Sequence, residues 1–338
     1  MDKVVALLLG AIGLPVSAVI TRFLISWNSS HGIFGVDVHK TEKTIVPEMC
    51  GAAMAITLIV LAGVYSLVDP RYSLQLISFI LVVGIAAVAG ALDDFKRLGG
   101  MFKPLVGLLC GVPVSILGLM FPGQVYNPEL GIPLFGGFRL PIIYPLIIPL
   151  AISVTSNTVN MLDPLNGVMA GGIAIACAGL LIGLLLTAQS PTPIFLYALL
   201  LFVSLGFYIY NRYPSRAFSG NVGQLSLGAA LGAAAILGRA EIATIVAIFP
   251  NIQNSFFFLS KIRRFTEHRR LTSKPTTLLP DGRLSSTADR GAPLTLVRTI
   301  ISGGPAFEYD IVKTIFLLYL LSSILGFLTL LLMGPFHL

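Results

Sequence analysis

Long uncharged stretches recur along the whole chain, separated by shorter polar segments. A helix needs about 20 apolar residues to cross a bilayer, and ten stretches approach that length: 4–26, 49–68, 73–92, 104–121, 141–160, 168–188, 193–211, 222–238, 242–260 and 311–333. The pattern predicts an all-α integral membrane protein with ten transmembrane helices, one polytopic domain over residues 1–338. The first stretch lacks an A-x-A-type cleavage site and exceeds the apolar region of a signal peptide, so it reads as an uncleaved anchor. The one extended polar piece, residues 261–310, is rich in charge, Ser, Thr and Pro.

Composition agrees with this reading. Of 338 residues, 55% are hydrophobic and 11% charged, against the roughly 25% charge of soluble domains. Cys50, Cys110 and Cys177 lie in apolar sequence without metal-type spacing and read as buried thiols. The net charge of +7 comes without a basic run interleaved with aromatics, so nucleic-acid binding is disfavoured.

The charges sort by side. With ten spans both termini share a face, and of the 22 Lys and Arg only Lys3, Arg71, Arg139 and Arg239 fall there. The other 18 lie in or beside the connections after spans 1, 3, 5, 7 and 9. The positive-inside rule makes those connections cytoplasmic. Eleven of the 15 acids share that face, among them Asp37, Glu48, Asp93, Asp94, Asp163 and Glu308. No ionisable residue sits at a span centre, which counts against an ion-coupled transporter.

Four polar clusters stand on the basic face. Span 3 ends in Asp93-Asp94-Phe95-Lys96-Arg97. Two carboxylates at a helix C-terminus oppose the dipole and repel one another. An interfacial cap with an (i, i+4) Asp93–Arg97 pair is one reading; hard oxygen ligands for Mg²⁺ or Mn²⁺ are the other. Span 5 runs into Asn157, Asn160 and Asp163, which a continuing helix stacks on one face before Pro164 and Gly167 break it. Interhelical bonding explains one such Asn; an oxygen-lined site explains the group better. The seventh connection, Asn211 to Gln224, ends in Gly220-Asn221 at the start of a helix. Free N–H groups there suit phosphate, although simple N-capping by Asn is common. The last loop carries Lys261, Arg263, Arg264, His268, Arg269, Arg270 and Lys274, either a solvated or lipid-facing surface or a diphosphate clamp. Together the clusters supply the parts of a phosphoryl-transfer site, where positioning and charge stabilisation do most of the catalysis.

Five blocks then bear a resemblance. They are Lys40-Thr41 to Pro47-Glu48, Asp93-Asp94 with Lys103, Asn157-x-x-Asn160, Tyr213-Pro-Ser-Arg216-x-Phe218, and Glu267-His-Arg269. In order and spacing the chain resembles the polyprenyl-phosphate N-acetylhexosamine-1-phosphate transferases, a ten-span family with cytoplasmic active sites. The Tyr-Pro-Ser-Arg block and Glu-His-Arg are most similar to its archaeal and eukaryotic branch. The single His268 of the last loop, and Asp163-Pro-Leu-Asn166-Gly167 in place of Asp-Gly-x-Asp-Gly, set it apart from bacterial members.

The resemblance implies transfer of GlcNAc-1-phosphate from UDP-GlcNAc to dolichyl or another polyprenyl phosphate, with release of UMP. The lipid phosphate is mostly dianionic at pH 7 and barely needs a base, which favours in-line displacement over a covalent intermediate on Asp93. Asp94, Asn160 and Asn221 are the candidate Mg²⁺ ligands, the last two positions drawn from the family. Asn221 departs from it, an amide standing where members carry Asp. By the same analogy Lys103 holds the lipid phosphate, Arg269 the diphosphate, and His268 with Arg269 the sugar. Asn166 and Phe218 fall to the uridine and the wall, while Glu48, Asn157 and Arg216 complete the substrate site. The implied setting is a cell membrane in an archaeon or the endoplasmic reticulum in a eukaryote, as monomer or homodimer.

Overall fold

The computed structural model describes residues 2–262 and 273–334. Helices occupy all ten predicted stretches. A broken rod opens the chain, α1 (Lys3–Ala11) and α2 (Gly13–Ser30), followed by a hairpin of β1 (Phe34–Asp37) and β2 (Thr44–Pro47). Next come α3 (Ala52–Val68), α4 (Ser73–Lys96) and α5 (Phe102–Met120), then a hairpin of β3 (Glu129–Ile132) and β4 (Gly136–Arg139). The bundle continues with α6 (Tyr144–Met161), α7 (Val168–Thr187), α8 (Pro191–Asn211) and α9 (Gly220–Leu237). After it stand α10 (Glu241–Ala247), α11 (Phe249–Ile262), a third hairpin of β5 (Thr276–Leu278) and β6 (Leu284–Ser286), the short α12 (Leu296–Ile300), and α13 (Glu308–Met333). The three antiparallel hairpins are additions to the all-helical expectation; strands of three or four residues leave little period-2 signal.

Among the described residues, seven helical segments are long and apolar enough to cross a membrane, or eight when α10 and α11, bent by 71° at their junction, count as one. Of the ten stretches expected to cross, α3 and α6 fall short of this measure, for local reasons. The 17 residues of α3 rise about 25 Å at 1.5 Å each, short of a roughly 30 Å hydrocarbon core. The 18 residues of α6 include Pro149 and a polar C-terminal half from Ser153 to Asn160.

Burial identifies the centre of the bundle. The apolar window of α9 is 89% buried, whereas that of the N-terminal rod is 28% buried and that of α13 is 33% buried. Outer helices thus keep lipid-facing Leu and Ile, while α9 is built from Gly and Ala. Between helices in lipid there is little hydrophobic drive, so close backbone approach through small residues supplies the packing. Along α9, Gly228 and Gly232 receive Ser156, Thr155 and Ile152 of α6. On α4, Gly90 meets the start of α9: a Cβ there would lie 2.6 Å from the Asn221 oxygen and the Val222 Cα. Gly90 precedes Asp94 by one turn, so this approach sets that carboxylate against the first residues of α9.

A branched side chain cannot enter the α4–α9 contact without separating the helices, and such overpacking costs about 1–3 kcal/mol. Gly90→Val is expected to lower the melting temperature in detergent by several degrees. Gly63→Val on α3, where no atom lies within 4 Å of the added carbon, is expected to leave it nearly unchanged. Equal melting temperatures for both variants would remove this packing argument.

Candidate active site

The site forms where α4 ends and α9 begins. Asp94 Oδ1 accepts from the Asn221 backbone N–H and from Asn221 Nδ2, both at 2.8 Å, and Oδ2 accepts from the Val222 N–H at 3.0 Å. A carboxylate here satisfies amides that the first turn of a helix leaves open and faces the positive end of its dipole. The turn that delivers α9 requires glycine. Gly220 has φ +63°, and a Cβ on it would sit 2.7 Å from Asp94 Oδ2.

From Asn221 a hydrogen-bond chain runs through α6 to α5. Asn221 Oδ1 accepts from Asn160 Nδ2 at 2.9 Å, and Asn160 Oδ1 accepts from Lys103 Nζ at 3.3 Å. Lys103 also pairs with Asp93 at 3.5 Å. Asp93 is 2% exposed, accepts from the Leu98 N–H at 2.8 Å, and does not line the cavity described below. The (i, i+4) pair with Arg97 does not form, because Arg97 ends the helix in the left-handed region at φ +51°.

A second branch leads to Asp163. Asn160 Nδ2 also donates to Gln224 Oε1, whose Nε2 donates to Asp163 Oδ2 at 2.7 Å. Ser219 Oγ donates to the same carboxylate oxygen at 2.6 Å. Burial pushes the Asp163 carboxyl up to about 6, against the donors Ser219 and Gln224, which favour its anion. The stack expected on a continuing helix is therefore corrected. α6 stops at Met161, since the residue before Pro164 is disfavoured in helical conformation, and Asp163 reaches the site from the turn. Asn157, still on α6, donates to the Ser153 carbonyl at 2.8 Å and to the Lys103 carbonyl at 3.4 Å. It braces α5 and does not line the cavity.

These groups border a cavity of about 210 Å³ whose wall includes Glu48, Asp94, Asp163, Asn166, Phe218 and Asn221. Behind Asp37 and Asn166, which line the cavity, stands a buried polar latch. Glu308, in the first turn of α13, accepts from Lys40 Nζ at 2.6 Å and from the Asn166 N–H at 2.8 Å. Asp37 Oδ2 accepts from Asn166 Nδ2 at 2.9 Å, and the Lys40 ammonium lies 3.6 Å from the centre of the Tyr213 ring. A carboxylate only accepts, so the Asn166 amide keeps its nitrogen on Asp37 and leaves Oδ1 for a ligand. His39 lines the cavity beside this latch, and burial lowers its imidazole below the ordinary range, partly opposed by Glu308 and Asp37.

Of the residues anticipated from sequence, Glu48, Asp94, Asn166, Phe218 and Asn221 meet around the cavity, with Asn160 and Lys103 behind Asn221. Arg216 does not join them: it is exposed, donates to the Ile209 carbonyl at 3.4 Å, and borders a separate cleft. His268 and Arg269 lie outside the described residues. Site positions that sequence reasoning missed are Asp37, Ser219 and Gln224, with Glu308 behind Asn166, while Asp163, read as part of an oxygen-lined group, was given no role of its own. Gln224 stands three residues after Asn221, a helical spacing that was available as a signal.

The donor set suits a hard divalent cation. Asp94, Asp163, Asn160, Asn221 and Gln224 offer oxygens, and among the described residues no cluster of three or more His, Cys, Asp or Glu is placed to hold a metal. Two carboxylates and amides match Mg²⁺, which keeps waters and completes its shell from substrate phosphate.

Comparison with known proteins follows the same lines. The family model for glycosyl transferase family 4 matches residues 76–239, the stretch from α4 through α9. A protein of Methanocaldococcus jannaschii named "Putative glycosyltransferase" is 33% identical over 315 residues, 92% of each chain. A Saccharolobus solfataricus protein named "Putative UDP-N-acetylglucosamine--dolichyl-phosphate N-acetylglucosaminephosphotransferase" is 29% identical over 252 residues, 73% of this chain and 75% of that one. The phospho-N-acetylmuramoyl-pentapeptide-transferase of Chlamydia trachomatis is 32% identical over 263 residues, 68% of this chain and 75% of that one. Archaeal and bacterial relatives thus stand at similar identity. The likeness runs nearly end to end and is centred on the helices that build the cavity: this membrane protein belongs to glycosyl transferase family 4.

Proposed function

We propose that the chain transfers GlcNAc-1-phosphate from UDP-GlcNAc to dolichyl or a related polyprenyl phosphate, releasing UMP, the first step in building a lipid-linked oligosaccharide. The observation that carries this reading is the Asp94 carboxylate seated on the first amides of α9, at a cavity it shares with Asp163. Carboxylates beside a helix N-terminus combine a cation site with N–H groups that favour phosphate. Archaeal relatives named for this transfer supply the sugar and the lipid. The reaction would run on the cytoplasmic side of a ten-span chain, in a cell membrane or the endoplasmic reticulum. Residues 261–310 would contribute to the active site, Arg269 on the diphosphate and His268 with Arg269 on the sugar, and a homodimer is the proposed assembly.

Mg²⁺, or Mn²⁺ in its place, would supply neutralisation of the diphosphate and of the UMP leaving group when bound. Asp94, Asp163, Asn160 and Asn221 would hold it, Asp163 making good the charge that an amide at position 221 lacks. Lys103 would hold the lipid phosphate for in-line attack on the sugar-bearing phosphorus. The burial of Asp93 against Lys103 and Leu98 supports a role in orienting that lysine and disfavours a covalent phosphate on Asp93. Phe218 would wall the base and Glu48 the sugar, while Asn157 would keep Lys103 in place through its carbonyl. Arg216 would act from the neighbouring cleft. Asn166, its nitrogen committed to Asp37, would accept from an N–H of the base. Uracil carries such a donor at N3 and cytosine does not.

Radiolabelled UDP-GlcNAc with polyprenyl phosphate in detergent is expected to yield UMP, blocked by tunicamycin and outpacing other UDP-sugars. Asp94→Asn, which keeps the shape and loses the charge, is expected to lower the rate roughly 10²–10³-fold. No UMP from any UDP-sugar would end the proposal, and preference for UDP-MurNAc-pentapeptide would move it to the bacterial reaction.

A second expectation concerns the base. UMP is expected to bind better than CMP by calorimetry. Asp37→Asn, which lets the Asn166 amide turn over, is expected to shrink that preference about tenfold, the size of one mismatched buried hydrogen bond. An unchanged UMP-to-CMP ratio would show that Asp37 does not set it.

A further inference from the structure

We propose that the cleft between the end of α8 and the first two turns of α13 binds the phosphate headgroup of an anionic phospholipid. The cleft holds about 590 Å³ and is lined by Tyr208, Arg212, Tyr213, Arg216, Lys313 and Phe316 among others, and among the described residues no carboxylate lines it. Three cations thus face one concavity. Arg212 is exposed and has no carboxylate partner among the described residues. Arg216 lies 5.4 Å from the Tyr210 ring centre, and the Lys313 ammonium 4.1 Å from that of Tyr309. These are cation–π contacts, which leave a charge available to an anion. Asp310, one turn before Lys313, is the acid that acts on it, and it stands outside the lining.

Phosphate chemistry at such a cleft has two sources, a lipid headgroup or a soluble phosphate, and the surface below it selects the lipid. Residues three and four apart share a helix face. From Lys313 that face continues through Phe316 and Leu317 to Leu320 and Ile324. Leu317 is 61% exposed, Leu320 49% and Ile324 48%. A charged mouth therefore leads onto an apolar stripe running along an outer helix, the arrangement that a headgroup and its acyl chains require. Tyr213 and Tyr309 stand at the mouth, where amphipathic rings mark a membrane–water boundary. Asn166 lines both this cleft and the cavity described above, so the two sites share a wall. The inference does not depend on the reaction proposed for that cavity.

The test uses the full chain in phosphatidylcholine nanodiscs doped with phosphatidylglycerol, with the phosphatidylglycerol retained per protein measured by native mass spectrometry. Retention is expected for the unmodified chain. Arg212→Gln with Lys313→Gln is expected to reduce it roughly ten- to thirty-fold, at about 1 kcal/mol for each interfacial cation. Leu320→Asp, which leaves the cations in place, is expected to reduce it as well. Lys43→Gln with Lys96→Gln, a control pair of exposed cations elsewhere, is expected to change it little. Equal loss in the control pair would reduce the effect to diffuse surface charge and overturn the site. Full displacement by inorganic phosphate at equal concentration, or retention unaffected by Leu320→Asp, would make the ligand a soluble phosphate and overturn the lipid assignment.

Discussion

A carboxylate at the end of one helix and the open amides at the start of another hold this site together. Asp94 stands where a negative charge opposes its own helix dipole, and it is stabilised by the dipole and N–H groups of α9. Without that partner, two adjacent acids at the C-terminus of α4 are unfavourable. With it, Asp94 becomes the joint between two helices that are distant in sequence, and the remaining polar groups assemble outward from Asn221.

Small residues make the joint reachable. Gly90 lets α4 lie against Asn221 and Val222, Gly220 supplies the left-handed turn, and the Gly and Ala of α9 bring α6 close behind. The packing that centres α9 in the bundle is therefore the same packing that fixes the spacing of Asp94, Asn160 and Asn221. Polar side chains at this depth are satisfied by one another: Lys103, Asn160, Asn221, Gln224 and Asp163 form one connected chain. A buried network is favourable only in that fully paired form.

Much of this was legible in the sequence, for physical reasons. Apolar runs marked every helix of the bundle, and charge placement gathered the polar clusters on one face. Asp94, Asn160, Asn166 and Asn221 stood in local blocks of oxygen and amide side chains, while Phe218 and the individual roles came from the resemblance. Less legible was what depends on long-range pairing. Asp37 and Glu308 reach Asn166 across 129 and 142 residues, and neither carries a local signal beyond being an acid on the right face. Asp163 was visible but assigned to a helix that Pro164 does not allow to continue. Helix length likewise escaped hydropathy: apolar character locates α3 and α6, yet says little about where polar positions and breaks shorten a span. The 71° bend between α10 and α11 falls inside one apolar run, where Pro250 in the first turn of α11 was the local signal of a break.

The account turns on Asp94 and Asp163 together holding a divalent cation that a uridine diphosphate completes. Manganese binding followed by electron paramagnetic resonance, with the full chain in detergent and with or without UDP-GlcNAc, tests this most directly. The account predicts weak binding of Mn²⁺ alone, clear tightening when the nucleotide sugar is added, and loss of that tightening in Asp94→Asn and in Asp163→Asn. Tightening that survives both substitutions would contradict it.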